Sequence, residues 1–303
     1  MFIFDLTAQF GRVQMTGATR LDFLHRMSTN DMLVLPAGRG RVTALTTPIG
    51  RMVDAPAVVA MDDALILLTG SGNAGHVTAW LRKYVLYNDQ VTVHDITQMT
   101  RMIGVYGEGA DAWVRDFEAD AFQALQSAPV YSSTQLGGNL LIKAPALAGT
   151  GYFLLGARLP KLNAEFDAPA KYEAMRIAAG YPMAPHEINE DYIPLETGLW
   201  DAVNFNKGCY IGQEIIARME SRGQMAKKLV RLDVADAVAI IPGTELFVDG
   251  NAIGKVTSAS APWALGYVRT AQAQSGQVCQ TAAGDAVRVV NIVGASEPLD
   301  AQN

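Results

Sequence analysis

The chain has 303 residues, of which half are hydrophobic and 18% are charged, and its net charge at pH 7 is −6. This composition excludes intrinsic disorder and predicts two domains or three small ones, and an acidic balance without a basic run argues against broad binding to nucleic acids or membrane surfaces. The start MFIFDLTAQFGR lacks the features of a secretory signal, and Asp62 and Asp63 interrupt the most apolar run, so we expect a soluble, cytoplasmic protein.

The first hundred residues combine helical and strand periodicities. Leu21, Leu24 and Met27 recur about every third position within TGATRLDFLHRMS, which predicts an amphipathic helix. Residues 41–70 predict an antiparallel meander, because turn residues separate their apolar runs. The segment AGHVTAWLRKYVLY predicts a second helix, and QVTVHDI and TRMIGVYG are typical of strands.

The middle of the chain is less regular. GADAWVRDFE begins like a helix, and LGGNLLIKAPALAGTGYFLLG is typical of two strands joined by a small-residue loop. PAKYEAMRIAAGYP predicts a helix that stops at Gly180, with Pro182 beyond it. From Lys227 onward, short alternating runs between turn residues predict a small β-barrel or sandwich. A domain boundary is therefore expected near 223–227.

Residues 70–75, GSGNAG, form a G-x-G-x-x-G pattern between an apolar strand and a predicted helix, and Asp95 lies 25 residues beyond Gly70. This spacing resembles a dinucleotide-binding fingerprint and makes a dinucleotide-dependent oxidoreductase one functional alternative. The strand before the motif, however, ends an antiparallel meander, whereas a dinucleotide fold needs parallel strands. A strand-to-helix turn in which Ser71 or Asn73 caps the helix is therefore favoured.

Cys209 lies in NKGCYIGQE, just before a segment with helical spacing. A helix start and the nearby Lys207 would both favour a reactive thiolate, and a small buried thiol is the competing interpretation. Gly208 and Gly212 permit unusual backbone dihedrals around it. Cys279 alternates with polar neighbours on a predicted strand and is interpreted as a packing residue. Two cysteines 70 positions apart predict neither a disulfide framework nor a cluster held by thiolates alone.

The segment KGCYIGQEIIAR, residues 207–218, resembles the signature of the YgfZ-type folate-binding proteins. These are relatives of the glycine cleavage T protein, an aminomethyltransferase, and are linked to iron–sulfur cluster assembly and repair. FLHRMSTND, TPIGRMVD, DYIPLETGL and GKVTSASAPWALGYVR resemble other parts of the same family. The resemblance implies an α+β fold whose three parts form a ring with a central hole for tetrahydrofolate.

The resemblance also implies how the chain is divided. An N-terminal α+β domain would span residues 1–100 together with parts of 160–223. A middle α+β domain, residues 101–223, would carry the cysteine signature, and a C-terminal β-barrel would span residues 224–303.

The same resemblance implies site residues. Glu196, in IPLETGL, matches a glutamate with which T proteins contact the pterin, and a carboxylate can accept two parallel N–H bonds there. Asp54 and Ala55 stand where T proteins have two adjacent acids, so Asp54 is the candidate catalytic acid. Ala178 stands where T proteins commonly have a second glutamate. The remaining candidate folate contacts are Trp200, Gly208, Tyr210, Gln213, Glu214 and Arg218.

Two functions follow from this resemblance. The leading hypothesis is a tetrahydrofolate-binding accessory protein for iron–sulfur cluster assembly or repair. In it, Cys209 would be a redox-active, transfer or docking thiol that Lys207 keeps ionised, and the partners would be cluster clients or assembly proteins. The alternative is a tetrahydrofolate-dependent aminomethyltransferase that uses Asp54. The four histidines have no paired ligand spacing, so no metal site is predicted.

Overall fold

The computed structural model describes residues 1–160, 165–223, 225–234 and 240–294. Its strands are β1 (Phe2–Asp5), β2 (Phe10–Thr16), β3 (Gly40–Val42), β4 (Leu45–Thr46), β5 (Met52–Asp54), β6 (Ala57–Ala60), β7 (Ala64–Gly70), β8 (Thr92–Asp95), β9 (Arg101–Tyr106), β10 (Ser133–Leu136), β11 (Asn139–Ala144), β12 (Gly151–Gly156), β13 (Lys227–Val234), β14 (Glu245–Val248), β15 (Asn251–Ser260), β16 (Trp263–Arg269), β17 (Val278–Gln280) and β18 (Ala286–Ile292). Its α-helices are α1 (Arg20–Met27), α2 (Ala74–Lys83), α3 (Ala110–Phe117), α4 (Ala119–Leu125), α5 (Pro169–Ala178) and α6 (Gln213–Arg222).

The first sheet has the strand order β3–β6–β7–β2–β8, and β4 and β5 form a separate hairpin. One face of this sheet packs against α1 and α2 through apolar residues that include Val13, Phe23, Leu67 and Val77. β7, the strand that precedes GSGNAG, is antiparallel to both β2 and β6. The predicted meander is thus confirmed. A dinucleotide site needs parallel strands, whereas the strands beside this motif are antiparallel.

The second sheet has the order β1–β9–β12–β11–β10, and α3 and α4 pack on its outer face. The two strands predicted in the middle of the chain are β11 and β12, whereas α4 and β10 were not predicted. β1 comes from the start of the predicted N-terminal domain but pairs with β9, which follows residue 100. Phe2 and Phe4 of β1 pack on the face of the second sheet that is turned toward the first sheet.

The two sheets pack face to face around a core rich in aromatic residues. Tyr172 of α5 lies between them, with its ring centroid 5.6 Å from Phe4, 6.4 Å from Phe10 and 6.0 Å from Tyr106. α5 ends as predicted, because Gly180 just beyond it adopts the left-handed conformation (φ 69°) that lets the chain turn. This core places loops from both sheets at a shared edge.

The C-terminal strands close into a six-stranded barrel in the order β13–β16–β15–β14–β17–β18. The barrel confirms the prediction for this region and the mixed α and β fold as a whole. Cys279 is fully buried inside it among aliphatic side chains, as expected for a packing residue. None of the helices in the described ranges combines the length and apolar character needed to cross a membrane.

A buried ion pair joins the barrel to α5 and to the loop that follows it. Arg176 and Glu187 are both fully buried, with Nη1 and Oε2 2.9 Å apart. Ser258 of β15 donates its hydroxyl to Glu187 Oε1 at 2.6 Å, and the Tyr267 hydroxyl of β16 donates to the Glu187 carbonyl at 2.7 Å. Met183 completes the set by donating its N–H to Glu187 Oε2.

Candidate functional site

Asp54 ends β5 and is 1% exposed. Its Oδ1 accepts the N–H of Ala55 at 2.6 Å, and its Oδ2 accepts the N–H of Gly70 at 3.1 Å and the side-chain amide of Asn73 at 2.7 Å. Burial raises the pKa of the Asp54 carboxyl, and these three N–H donors oppose that rise. The acid is therefore fixed in place and more readily protonated than an exposed aspartate.

The GSGNAG turn is what holds this acid. Gly70 must be glycine at this position, because a Cβ there would lie 2.4 Å from the Cβ of Ala184. Asn73 precedes α2, but its side chain reaches Asp54 and the carbonyl of Val53 instead of capping the helix. Ser71 donates its hydroxyl to the carbonyl of Ala8. The predicted helix caps were thus wrong, since both side chains bond elsewhere, and the motif positions a carboxyl group.

A cavity of about 30 Å³ opens beside Asp54, where the two sheets meet the loop after α5. This is room for one or two waters. Its walls include Phe10, Tyr131, Tyr181 and Met183, and the two tyrosine hydroxyls lie 2.5 Å apart. Burial raises the pKa of both tyrosines, so both hydroxyls stay protonated. Tyr131 has the left-handed conformation (φ 67°), which is uncommon for a bulky residue.

Glu196 lies in a neighbouring loop and is 7% exposed. Its Oε2 accepts the N–H of Ile193 at 3.2 Å and lies 3.7 Å from Arg51 Nη1. Burial raises the pKa of Glu196, and hydrogen bonding and the charges of Arg51 and Lys227 oppose the rise. The walls of the Asp54 cavity do not include Glu196. The two loops are nevertheless joined, since the N–H of Met52 in the Asp54 hairpin donates to the Tyr192 carbonyl at 3.0 Å.

Lys207 is buried and caps the C-terminal end of α1 and the turn that follows. Its Nζ donates to the carbonyls of Ser28 (2.6 Å) and Asn30 (3.0 Å) and to that of His25. A cation at this position complements the helix dipole, and burial lowers the pKa of Lys207 to about 8. These three bonds use every N–H of the ammonium group. None is left to donate to the sulfur of Cys209, so the lysine anchors the loop and makes no activating hydrogen bond to the thiol.

Cys209 is exposed and lies four residues before α6 begins at Gln213. Gly212 precedes that helix with φ 84°, and a Cβ there would lie 2.7 Å from Thr46 Oγ1. The Thr46 hydroxyl donates to the carbonyl of Ile211 at 2.5 Å. The cysteine signature is therefore seated on the hairpin of β4 and β5 that carries Asp54, with the thiol facing solvent.

The other predicted folate contacts are dispersed. Glu214 and Arg218 form an ion pair of 3.0 Å on a face of α6 that is open to solvent. Tyr210 is buried in a hydrophobic cluster with Ile216 and other apolar side chains, which is a packing position. Trp200 is 37% exposed and lies near Phe205, with 6.4 Å between ring centroids.

Gly208 and Gln213 are the last two of the predicted folate contacts. Gly208 is exposed, and a Cβ there would lie 3.7 Å from His25 Nε2. Gln213 is partly buried and donates its backbone N–H to the Tyr210 carbonyl. Gln213 therefore contributes to the turn of the signature loop through its backbone, whereas a side chain at position 208 would make only an ordinary contact. The tyrosines of the Asp54 cavity were not predicted, because Tyr131 lies in the least regular part of the sequence and Tyr181 in a loop.

Residues 1–143 match a family model described as the GCVT N-terminal domain. A chloroplastic protein of Arabidopsis thaliana, whose name assigns it provisionally to the transferases, is 27% identical over 294 residues. That match covers 90% of this chain and 66% of the plant protein, just under two thirds of its length. The aminomethyltransferases of Halalkalibacterium halodurans and Bacillus subtilis are 25% and 24% identical; the matches cover 84% and 87% of this chain and 73% and 76% of theirs.

Among solved structures, the glycine cleavage system aminomethyltransferase T from Bartonella henselae superposes with a TM-score of 0.83. It is 19% identical, and the match covers 97% of this chain and 86% of that one, which establishes the shared fold. In sequence the chain is therefore similar to the glycine cleavage T-protein domain and to named aminomethyltransferases, and the solved structure adds the shared fold. These matches favour the aminomethyltransferase alternative over the iron–sulfur hypothesis and do not test the YgfZ-type branch.

Proposed function

We propose that this chain binds tetrahydrofolate and transfers to it the one-carbon unit of an aminomethyl donor, with Asp54 as the acid at the reacting end. The observation that carries the proposal is a buried carboxyl group, held by three N–H donors, that opens onto a cavity with aromatic walls. The similarity to named aminomethyltransferases supports it.

The residues around Asp54 fit a pterin in their chemistry. Phe10, Tyr131 and Tyr181 present aromatic rings to the cavity, and flat rings of this kind pack well against a heterocycle. The hydroxyl of Tyr106 in the adjoining core is buried without a partner. The volume admits only water in the present conformation, so binding would require the contact between the Tyr131 and Tyr181 hydroxyls to open. Tetrahydrofolate, when bound, supplies the two nitrogens that accept the one-carbon unit.

Asp54 is suited to move a proton at this site. A carboxyl group whose pKa is raised holds a proton closer to neutral pH than an exposed aspartate does. Oδ2 already accepts two N–H bonds, whereas Oδ1 accepts only that of Ala55 and has room for the proton. As the one-carbon unit moves to tetrahydrofolate, the C–N bond to the donor's amino group breaks. Oδ1 would deliver its proton to that amino group, which departs as ammonia, and the Asp54 carboxylate left behind would take up the proton that the attacking folate nitrogen loses.

Folate binding is tested by titrating tetrahydrofolate into the protein and into the Glu196→Ala variant. If the Glu196 carboxylate contacts the pterin, its loss should cost about 2 kcal/mol, or roughly thirtyfold in Kd. Isothermal titration calorimetry measures this difference, and Glu220→Ala, an exposed acid on α6, serves as the control.

Glu196→Gln keeps the size of the side chain and removes only the charge, so it separates lost binding from altered folding. Equal affinities for wild type, Ala and Gln variants would remove Glu196 from the site. A wild-type protein with no measurable affinity for tetrahydrofolate would overturn the proposed function itself.

A second function is favoured by one specific observation, the exposed thiol of Cys209 on a loop that Lys207 anchors. In this function the chain is an accessory protein for iron–sulfur cluster assembly or repair. The thiol would meet a client or assembly protein at the surface, while folate binds elsewhere. A buried ammonium that fixes the loop would hold the thiol at a constant position for such a contact.

We expect Cys209→Ser to lower the activity of a cluster-containing enzyme severalfold in cells that depend on this protein, because serine lacks the nucleophilic sulfur. Asp54→Asn is the matched variant, since it removes the proposed transfer acid and leaves the thiol intact. If Cys209→Ser restored the full activity of the cluster-containing enzyme, the thiol function would be excluded. If only Asp54→Asn lowered that activity, the phenotype would be assigned to one-carbon transfer.

A further inference from the structure

The imidazole of His25 lies against the loop that carries Cys209. His25 belongs to α1 and is 9% exposed. Its Nε2 faces Gly208, since a Cβ at Gly208 would lie 3.7 Å from that nitrogen. In the part of the chain that the structure describes, no group forms a hydrogen bond with this Nε2. A buried base therefore turns a free nitrogen toward the residue that precedes the exposed thiol.

Asp31 determines which nitrogen of His25 carries the proton. The Oδ1 of Asp31 lies 3.0 Å from His25 Nδ1. A carboxylate at this distance favours the tautomer with hydrogen on Nδ1, which leaves the lone pair on Nε2. Asp31 is itself held in place, because its Oδ1 accepts the N–H of Leu33 at 3.0 Å and its carbonyl accepts Arg41 Nη1 at 2.7 Å. The lone pair of His25 is therefore directed at the cysteine loop.

The charges around His25 keep its imidazole neutral near pH 7. Burial and the ammonium group of Lys207 lower the pKa of His25, and the carboxylates of Asp31 and Asp22 oppose that shift. A neutral imidazole is the form that can accept a proton from a thiol. The positive charge of Lys207, two positions before Cys209, also favours an anionic sulfur without a hydrogen bond to it.

Gly208 keeps the space between the imidazole and the loop open. Its φ lies outside the left-handed region, in contrast to that of Gly212 (φ 84°), so the backbone does not require glycine at position 208. A side chain larger than a methyl group would start 3.7 Å from His25 Nε2 and extend into the space beside it. Cys209 follows directly and is exposed. No side chain at position 208 therefore stands between the thiol and Nε2.

We propose that His25 is the general base that ionises Cys209 and that Asp31 is the positioning residue for its ring. The S–H proton of Cys209 moves to Nε2, which leaves a thiolate on the sulfur and an imidazolium beside the Asp31 carboxylate. His25 thus takes the role that Lys207 does not, because the lysine N–H groups are bonded to backbone carbonyls. The inference rests on the second proposed function, in which the thiol meets a partner protein, and does not depend on folate binding.

The test measures the rate at which iodoacetamide alkylates Cys209 as a function of pH, by mass spectrometry of the intact protein. Iodoacetamide reacts with the thiolate, so the rate follows the ionised fraction of the sulfur. We expect His25→Gln to lower the rate at pH 7 about tenfold, which corresponds to a profile moved up by one pH unit. At high pH, where any thiol is ionised, the two rates should converge. His94→Gln, at an exposed position of β8, is the control, and Cys209→Ser gives the background from buried Cys279.

Two further variants separate the base from a general effect on folding. Asp31→Asn should move the pH profile in the same direction as His25→Gln but less far, because the base remains and only its orientation is lost. Gly208→Leu should reproduce the slow alkylation at pH 7 by filling the space beside Nε2. This substitution lies outside α1, so it tests the inference even if His25→Gln fails to fold.

A wild-type rate at pH 7 for both His25→Gln and Gly208→Leu would overturn the inference. An equal slowing at every pH would also overturn it, because that pattern indicates reduced access to the sulfur and not a lost base. Neither result would decide the thiol function, which depends on the Cys209→Ser variant in cells. Failure of the base and failure of the thiol function are therefore distinguishable.

Discussion

Asp54→Asn is expected to lower the rate of tetrahydrofolate-dependent ammonia release from an aminomethyl donor by about a hundredfold, the lower end for loss of a general acid. Asparagine cannot carry the proton that Oδ1 is placed to deliver. In either orientation its NH₂ group would also face a donor, because Ala55 presents an N–H at the position of Oδ1 and Gly70 and Asn73 present N–H groups at that of Oδ2. The carboxyl group is therefore required for both the proton transfer and the local hydrogen bonding.

Ammonia release and methylene-tetrahydrofolate formation should decline together in this variant. Its Kd for tetrahydrofolate, measured by calorimetry, should stay within about threefold of wild type, which distinguishes lost transfer from lost folate binding. Because the protonated carboxyl is the active form, the rate should fall as the pH rises through the pKa of Asp54, which burial has raised. Asp62→Asn, at an exposed turn, is the control. A rate within threefold of wild type for Asp54→Asn would contradict the assignment of the acid.

Arg176→Met is expected to lower the free energy of unfolding by about 3–5 kcal/mol, because it leaves the Glu187 carboxylate buried without its cation. Arg176 also donates to the carbonyl of Tyr181 at 3.0 Å, and Glu187 accepts the N–H of Met183. Tyr181 and Met183 both line the Asp54 cavity. The ion pair therefore stabilises the barrel contact and one wall of the candidate site together.

Urea unfolding followed by circular dichroism measures this loss. Arg218→Met breaks an exposed ion pair on α6 and should change stability by less than about 1 kcal/mol. Adding Glu187→Gln to Arg176→Met should restore part of the stability, since the uncompensated charge is then gone. If Arg176→Met lowered the free energy of unfolding by less than 1 kcal/mol, the ion pair with Glu187 would not be what stabilises the contact between the barrel and α5.

Secondary structure followed from the sequence wherever hydrophobic periodicity was strong. α1, α2 and α5, the antiparallel strands of residues 41–70 and the barrel strands were all predicted, because each buries one face and the spacing of apolar residues reports that face. β1, β2, α4 and β10 were missed. No element was predicted over residues 2–16, which hold β1 and β2. α4 and β10 lie between residues 110 and 140, where exposed alanine, glutamine and aspartate residues leave no clear period.

The sequence by itself determined Asp54, Glu196 and Cys209 as candidates, because each lies in a short motif whose residues are adjacent in the chain. Only the tertiary structure decided their surroundings. Contacts over long sequence separations bring Tyr131 and Tyr181 to Asp54 and direct Lys207 to the end of α1. They also place Asn73 on a carboxyl group instead of a helix end. Such contacts depend on how the sheets pack, and the spacing of residue types along the chain does not reveal that packing.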